Sequence, residues 1–165
     1  MIHIHVGYMP TPNHLGEPKT KPTQLSVKYL NSMGIQPDFI VCRAEAEIDK
    51  RRQGRLALFC NLPEEGIISA PDLSSVYQLP LVFSRQQFSQ KVLRKLNLKV
   101  TPLKLDAWRE LNQKISRPKK QMIQVAIVGK YFATGDYQLN DSYASLYEAL
   151  NHAAWAAGAG LKIVA

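Results

Sequence analysis

Ile2-His3-Ile4-His5-Val6-Gly7-Tyr8 is the stretch whose reading decides the fold of this 165-residue chain. Apolar and polar residues alternate in it and β-branched side chains are frequent, so it predicts a β-strand. Met9 to Pro18 holds three prolines and a glycine and reads as a loop. A helix is expected from about Pro22 to Met33, with Val27, Leu30 and Met33 on its buried stripe. Pro22 suits a first helical turn, and Gly34 suits the position just past the end. Working outward, Phe39–Cys42 is a short buried strand, Asp49–Cys60 a helix that tolerates Gly54, and Ile67–Ser69 a third strand stopped by Ala70-Pro71-Asp72. Strands alternating with helices imply βαβ units and a parallel sheet with flanking helices, an α/β fold.

The pattern then changes. Tyr77 to Lys120 reads as helical and basic, with breaks expected at Pro80, Pro102 and Pro118. The formal charge is +8, yet Arg85–Lys120 alone carries eleven Lys or Arg against Asp106 and Glu110. The basic excess thus belongs to one stretch and not to the molecule. Such a stretch attracts polyanions, but its cations fall between spaced apolar residues, as on the wet faces of helices. A fresh strand, Ile123–Gly129, follows the cluster Arg117-Pro118-Lys119-Lys120. A helix from about Asp141 to Ala157 is expected next, ended by Gly158 and Gly160, and then a strand from Leu161 to Ala165. The expected division is 1–102 for a first α/β unit, 103–121 for a helical basic linker and 122–165 for the start of a second α/β unit.

Composition narrows the classes. No apolar run approaches the ~20 residues of a membrane helix, and the first residues lack a secretory leader pattern. Cys42 and Cys60 lie inside apolar stretches, which predicts buried reduced thiols in a cytoplasmic protein. His3, His5, His14 and His152 show no zinc-ligand spacing with either cysteine, so no metal site is expected.

Lys19-Thr20-Lys21-Pro22-Thr23-Gln24 carries the most chemistry. Two lysines flank a threonine at a loop-to-helix junction, where backbone N–H groups and the helix dipole favour an anion. Their ammonium groups would serve as mobile charges for phosphate oxygens, with Thr20, Thr23 and Gln24 adding neutral hydrogen bonds. The competing reading is that Thr20 or Thr23 caps the helix while the lysines are solvated.

The hexapeptide is followed in order by Gly34-Ile35-Gln36-Pro37-Asp38, Cys42-Arg43, Leu56-Ala57-Leu58-Phe59-Cys60-Asn61 and Ile68-Ser69-Ala70-Pro71-Asp72. The series resembles the second half of the synthetase domain of CTP synthases. Val128-Gly129-Lys130-Tyr131, Asp141-Ser142-Tyr143 and Glu148-Ala149-Leu150 resemble the opening of that family's class I glutaminase domain. The resemblance implies a dethiobiotin-synthetase-like, P-loop-type half domain, a linker and the first part of a glutaminase. It also implies an amidoligase that uses Mg-ATP to phosphorylate the 4-oxygen of UTP, after which glutamine-derived ammonia displaces phosphate to give CTP. A symmetric homo-oligomer, a homotetramer in this family, is expected, with UTP, CTP, ATP and glutamine as ligands of the parent protein.

Residue by residue, Lys19, Thr20, Lys21, Pro22, Thr23 and Gln24 match the family segment that binds UTP and the feedback inhibitor CTP. Arg55 falls where many members carry a lysine that touches the pyrimidine nucleotide, so a planar fork replaces a point charge. Arg43 matches an arginine near the ATP adenine, and Pro71, Asp72 and Leu73 match a loop that contacts ATP. The loop between Tyr8 and Lys19 is longer than is usual in the family, and Ala44-Glu45-Ala46 replaces a more polar run.

A Gly-rich phosphate loop, an acidic Mg²⁺ pair and a glutaminase cysteine elbow are not legible in the sequence. The chain by itself is therefore expected to hold no catalytic residue and to be inactive. Two other readings stay open: a nucleic-acid-binding module through residues 85–120, which lacks interleaved exposed aromatics, and a noncatalytic nucleotide-binding or assembly relic.

Overall fold

The computed structural model describes residues 1–12, 16–119, 121–130, 133–134, 137–138 and 140–164, with the side chains of residues 133–134, 137–138 and 140–141 excepted. His14, Lys120 and Tyr131 of the motifs above lie outside the described residues, as does the side chain of Asp141. Contacts divide the chain into two compact units, Met1–Trp108 and Arg109–Ala165. The division falls within a single helix, Asp106–Ser116.

The first unit is an α/β layer structure. Its elements are β1 (Ile4–Tyr8), α1 (Lys21–Ser32), β2 (Phe39–Ala44), α2 (Lys50–Phe59), β3 (Ile67–Pro71), α3 (Leu79–Arg85) and α4 (Phe88–Lys95). The three strands are parallel in the order β1-β2-β3, with Val6 opposite Val41 and Val41 opposite Ile68. Each connection between strands carries a helix, as parallel pairing requires.

Strand pleating sends alternate residues to opposite faces. Ile40, Cys42 and Ala44 of β2 join Met9, Val27, Leu56, Ala57, Cys60 and Ile67 in one buried cluster beneath α1 and α2. On the other face Val41, Ile68 and Ala70 pack under Leu79, Phe83 and Phe88 of α3 and α4. Burying each of the large aliphatic side chains in these clusters contributes roughly 1.5–3 kcal/mol. Phe88 sets its ring edge-on against Phe39 and Phe83, with centroids 5.5 and 5.2 Å apart.

The helix ends follow local chemistry. Helix α1 closes where Gly34 takes a φ of +82°, and the N–H groups of Gly34 and Ile35 turn back to the carbonyls of Asn31 and Leu30. Helix α2 opens on Asp49, whose carboxylate accepts the Arg52 N–H at 2.8 Å. Two expectations need correcting. Met33 is exposed, not buried, because it lies beyond the last helical residue of α1, where the stripe has already turned away. Pro80 does not interrupt a helix but sits in the first turn of α3, where a missing N–H leaves no intrahelical bond unmade.

The second unit takes in most of α5 (Asp106–Ser116). It continues with β4 (Met122–Ala126), β5 (Ala133–Thr134), β6 (Tyr137–Gln138), α6 (Ala144–Ala157) and β7 (Gly160–Val164). Strands β4 and β7 pair in parallel, and the short β5 and β6 pair antiparallel. Helix α6 is preceded by a 3₁₀ turn, Asn140–Tyr143, so the expected helix starts three residues late. Gly158, at φ +68°, ends it. No helix among the described residues is long and apolar enough to cross a membrane.

Candidate functional site

The loop after β1 is tied down before it reaches the lysines. The Met9 N–H donates to the Arg43 carbonyl at 2.8 Å, and the Lys19 N–H donates to the Pro10 carbonyl at 2.9 Å. Thr20 then occupies the cap position of α1 without capping it through its side chain. Its hydroxyl instead accepts the Gln24 side-chain amide at 3.0 Å, while the Gln24 backbone N–H donates to the Thr20 carbonyl. The capping alternative considered for Thr20 is therefore not the one adopted.

Lys19, Thr20 and Lys21 line a pocket of about 250 Å³ together with Glu17, Pro18, Arg51, Arg52 and Arg55. Five cations converge from two chain segments, the start of α1 and the first turns of α2, against the single carboxylate of Glu17. So dense a cluster of like charge, left unpaired, repels itself and draws in a polyanion. Lys19 donates to Glu17 at 2.5 Å, and Arg52 grips the same carboxylate through its other oxygen. The Lys19 hydrogen bond and its charge hold the Glu17 carboxyl below the usual carboxylate range, with Arg52 adding to the effect.

Of the residues expected to meet a pyrimidine nucleotide, the structure gathers Lys19, Thr20, Lys21 and Arg55 in this lining. Pro22, Thr23 and Gln24 lie outside it. The Thr23 side chain is 1% exposed and donates to the Tyr8 carbonyl at 3.1 Å, so it locks α1 onto β1. Arg51 and Arg52 join the lining from outside the lysine motif. The run Lys50-Arg51-Arg52-Gln53-Gly54-Arg55 was the available signal, since positions 51, 52 and 55 share a helical face.

Arg43, Pro71, Asp72 and Leu73 come together elsewhere, on the opposite face of the sheet. They border an apolar groove of about 680 Å³ floored by Val6, Val41 and Ala70 and walled by Val76, Leu79 and Phe83. The Arg43 guanidinium lies 3.6 Å from the Asp72 carboxylate, both well exposed. Register sets this pairing: Arg43 stands opposite Ala70, and the Asp72 N–H closes the loop onto the Ala44 carbonyl at 2.8 Å. Apolar walls with a charged pair at the mouth suit a flat heteroaromatic ring bearing a polar edge.

Elsewhere the basic stretch is partly neutralised. Arg85 pairs with Glu47 at 3.2 Å, Lys95 with Asp38 at 3.1 Å and Lys114 with Glu110 at 2.8 Å. Among the described residues no group of three or more His, Cys, Asp or Glu side chains is placed to hold a metal ion.

Comparison with known proteins follows the same lines. The family model described as "CTP synthase N-terminus" matches residues 1–98. A CTP synthase of Picosynechococcus sp. is 40% identical over 163 residues, which is 99% of this chain and 28% of that protein. One from Caldanaerobacter subterraneus subsp. tengcongensis is 44% identical over 153 residues, 93% of this chain and 27% of its own length. One from Nostoc punctiforme is 42% identical over 154 residues, with 93% and 27% covered. The chain thus spans little more than a quarter of the length of these relatives.

Proposed function

Because the chain belongs to the CTP synthase family, we propose that its first unit supplies the pyrimidine-nucleotide triphosphate site of an enzyme that amidates UTP to CTP. In this reading Lys19, Lys21 and Arg55 receive the triphosphate and Thr20 adds a hydroxyl. The observation that carries it is the convergence of these side chains, from two separate segments, on one cationic pocket. A triphosphate brings about three to four negative charges, and five cations against Glu17 and the Arg52-paired Asp49 leave a net excess of three to offset them.

The reaction proposed for the parent protein is phosphorylation of the UTP 4-oxygen by ATP, followed by displacement of phosphate by glutamine-derived ammonia. A uracil carbonyl oxygen leaves poorly, whereas its phosphate ester leaves readily. The work of the protein is therefore to position two triphosphates and screen their charge. We assign the ATP adenine to the apolar groove, over the Val6 and Val41 floor and against the Phe83 wall, with Arg43, Pro71, Asp72 and Leu73 at its rim. Magnesium would accompany ATP, but the described residues supply no cluster of metal ligands, and no magnesium site is assigned to them.

The parallel β4–β7 pair joined through α6 supports reading residues 122–165 as the start of a glutaminase domain after a linker at 103–121. The parent protein is proposed to be a cytoplasmic homo-oligomer. No catalytic residue is assigned to this chain, which is expected to bind nucleotide without turning it over.

The test is calorimetric titration of UTP and CTP into the 165-residue chain. Lys19→Ala or Lys21→Ala should each weaken both ligands about tenfold or more, since one charged contact to phosphate contributes roughly 1.5–3 kcal/mol. Glutamine should produce no heat in any variant. UTP affinity indifferent to both lysines would overturn the assignment.

A further inference from the structure

The Arg52 side chain is held before any ligand arrives. Its Nε–H donates to the Pro18 carbonyl at 3.0 Å, and one terminal nitrogen is paired with the Asp49 carboxylate at the start of α2. The second terminal nitrogen meets Glu17, another residue of the pocket lining. The side chain is four-fifths buried, so its rotamer freedom has already been given up. A guanidinium fixed through two of its three nitrogens presents the third in one direction, which is the arrangement that favours an incoming oxyanion.

Glu17 marks where that oxyanion goes. Its two oxygens separately touch Lys19 and Arg52, bridging the two segments that form the pocket. Two oxygens on one planar centre, each taken by a different cation, reproduce the demand of a phosphoryl group. Glu17 is itself half-exposed and sits on the loop side, so it can leave without unmaking the core.

We infer that Arg52 is a further phosphate-binding residue of this pocket and that the Glu17 carboxylate holds the place of a ligand oxygen until a polyphosphate displaces it. The inference rests on the pocket being a triphosphate site, as proposed above, but names a residue that the lysine motif does not contain. Displacement exchanges one carboxylate for a phosphoryl group at the same two cations. The Arg52 bonds to Pro18 and Asp49 stay in place, and so does the Asp49 cap of α2. Glu17 therefore acts as an internal competitor that lowers apparent affinity by the fraction of time it occupies the site.

Inorganic tripolyphosphate and UTP, titrated separately into the 165-residue chain, test this. Glu17→Gln should tighten tripolyphosphate binding about three- to tenfold, because the internal competitor is gone. Arg52→Gln should weaken it about tenfold or more, and Arg52→Lys about threefold, since an ammonium keeps the charge but not the fixed direction. Thermal melts identify any variant that fails to fold; if Arg52→Gln does, the Arg52→Lys comparison decides. Unchanged affinity in the folded Arg52 variants, or no tightening in Glu17→Gln, overturns the inference. If UTP binding depends on Lys19 and Lys21 but ignores Arg52, the inference falls while the nucleotide reading stands. If tripolyphosphate responds as expected but UTP does not compete with it, Arg52 is a polyphosphate ligand and the nucleotide reading falls.

Discussion

Gly7 lies so close to Thr23 that a Cβ on the glycine would stand 2.6 Å from the threonine methyl and 3.0 Å from its hydroxyl. The contact brings the first turn of α1 down onto β1, and the Thr23 hydroxyl bond to the Tyr8 carbonyl holds it there. Lys21 is the first residue of that helix and Lys19 the second before it, so this contact sets where the cationic pocket forms.

Gly7→Ala should therefore do two things at once. The added methyl forces α1 away from β1 and lowers stability by roughly 1–3 kcal/mol, the usual cost of overpacking. It should also weaken tripolyphosphate binding, which Thr23→Val, keeping the shape and losing the hydroxyl, should affect much less. Urea unfolding beside titration of both variants checks the pair. Equal binding losses in the two would show that the packing contact is not what places the lysines.

The outer edge of β3 is closed by a side chain in place of a strand. Gln86 accepts the Ser69 N–H at 2.8 Å and donates to the Ser69 carbonyl at 2.8 Å, as a neighbouring residue in a sheet would. Gln86→Ala strips both bonds from a residue whose side chain is buried. At about 1 kcal/mol net for each bond, the loss expected in urea unfolding is roughly 1–3 kcal/mol. Gln86→Glu should cost at least as much, because it keeps an acceptor for the N–H but sets a carboxylate oxygen against the Ser69 carbonyl.

Much of this architecture is legible in the sequence, and the exceptions have identifiable causes. Ile40, Leu56 and Ile67 announce their burial by residue type and period, and the α1 limits follow from Pro22 and Gly34, because these are local signals. Met33 misleads because hydrophobic periodicity says which residues are apolar and not where the last turn stops. The Thr23 hydroxyl carries no mark of direction in the sequence, and it is the packing against Gly7 that turns it inward. Arg52 is missed for the opposite reason. Its partners Glu17 and Pro18 lie far away in sequence, so although the run Lys50–Arg55 places it on a cationic helical face, nothing local shows that this face meets the loop before α1.

Both thiols should be inert in the folded chain. Burial pushes the Cys42 thiol up to about 12, with the nearby Cys60 adding to it, and burial raises Cys60 as well. The thiolate is the reactive species. At pH 7 a group titrating near 12 is ionised to only about one part in 10⁵, against a few per cent for a free cysteine. Iodoacetamide followed by mass spectrometry should find neither residue alkylated at pH 7 until urea unfolds the first unit, when both react together. Fast modification of native Cys42 would mean that the cluster beneath α1 and α2 opens readily.

Asp38 couples pH to stability. The His3 N–H donates to its carboxylate at 2.7 Å, and that bond, followed by the Lys95 contact, holds the group below its ordinary value. A depressed folded-state value stabilises the fold above the unfolded one, near 3.8, and the contribution disappears as pH falls through the folded value. Urea midpoints should thus be flat with respect to this group from pH 7 to about 5 and drop below about 4. Asp38→Asn should lower the midpoint at pH 7 and flatten part of that acid slope. A slope identical to that of the unsubstituted chain would assign the acid sensitivity to other carboxylates.

The apolar groove makes a prediction independent of the cationic pocket. Arg43 and Asp72 face each other across its mouth at 3.6 Å, too exposed for the ion pair itself to add much stability. Arg43→Ala should therefore leave the urea midpoint almost unchanged. If an adenine lies over Val6 and Val41, however, loss of a stacking guanidinium should weaken an adenine nucleotide by about 0.5–2 kcal/mol, or roughly two- to thirtyfold. Asp72→Asn frees the guanidinium from its partner and should change adenine affinity less. Neither variant should alter tripolyphosphate binding, because the two sites lie on opposite faces of the sheet and share no residue. A parallel fall in both affinities for Arg43→Ala would mean that the groove and the pocket are not separate sites.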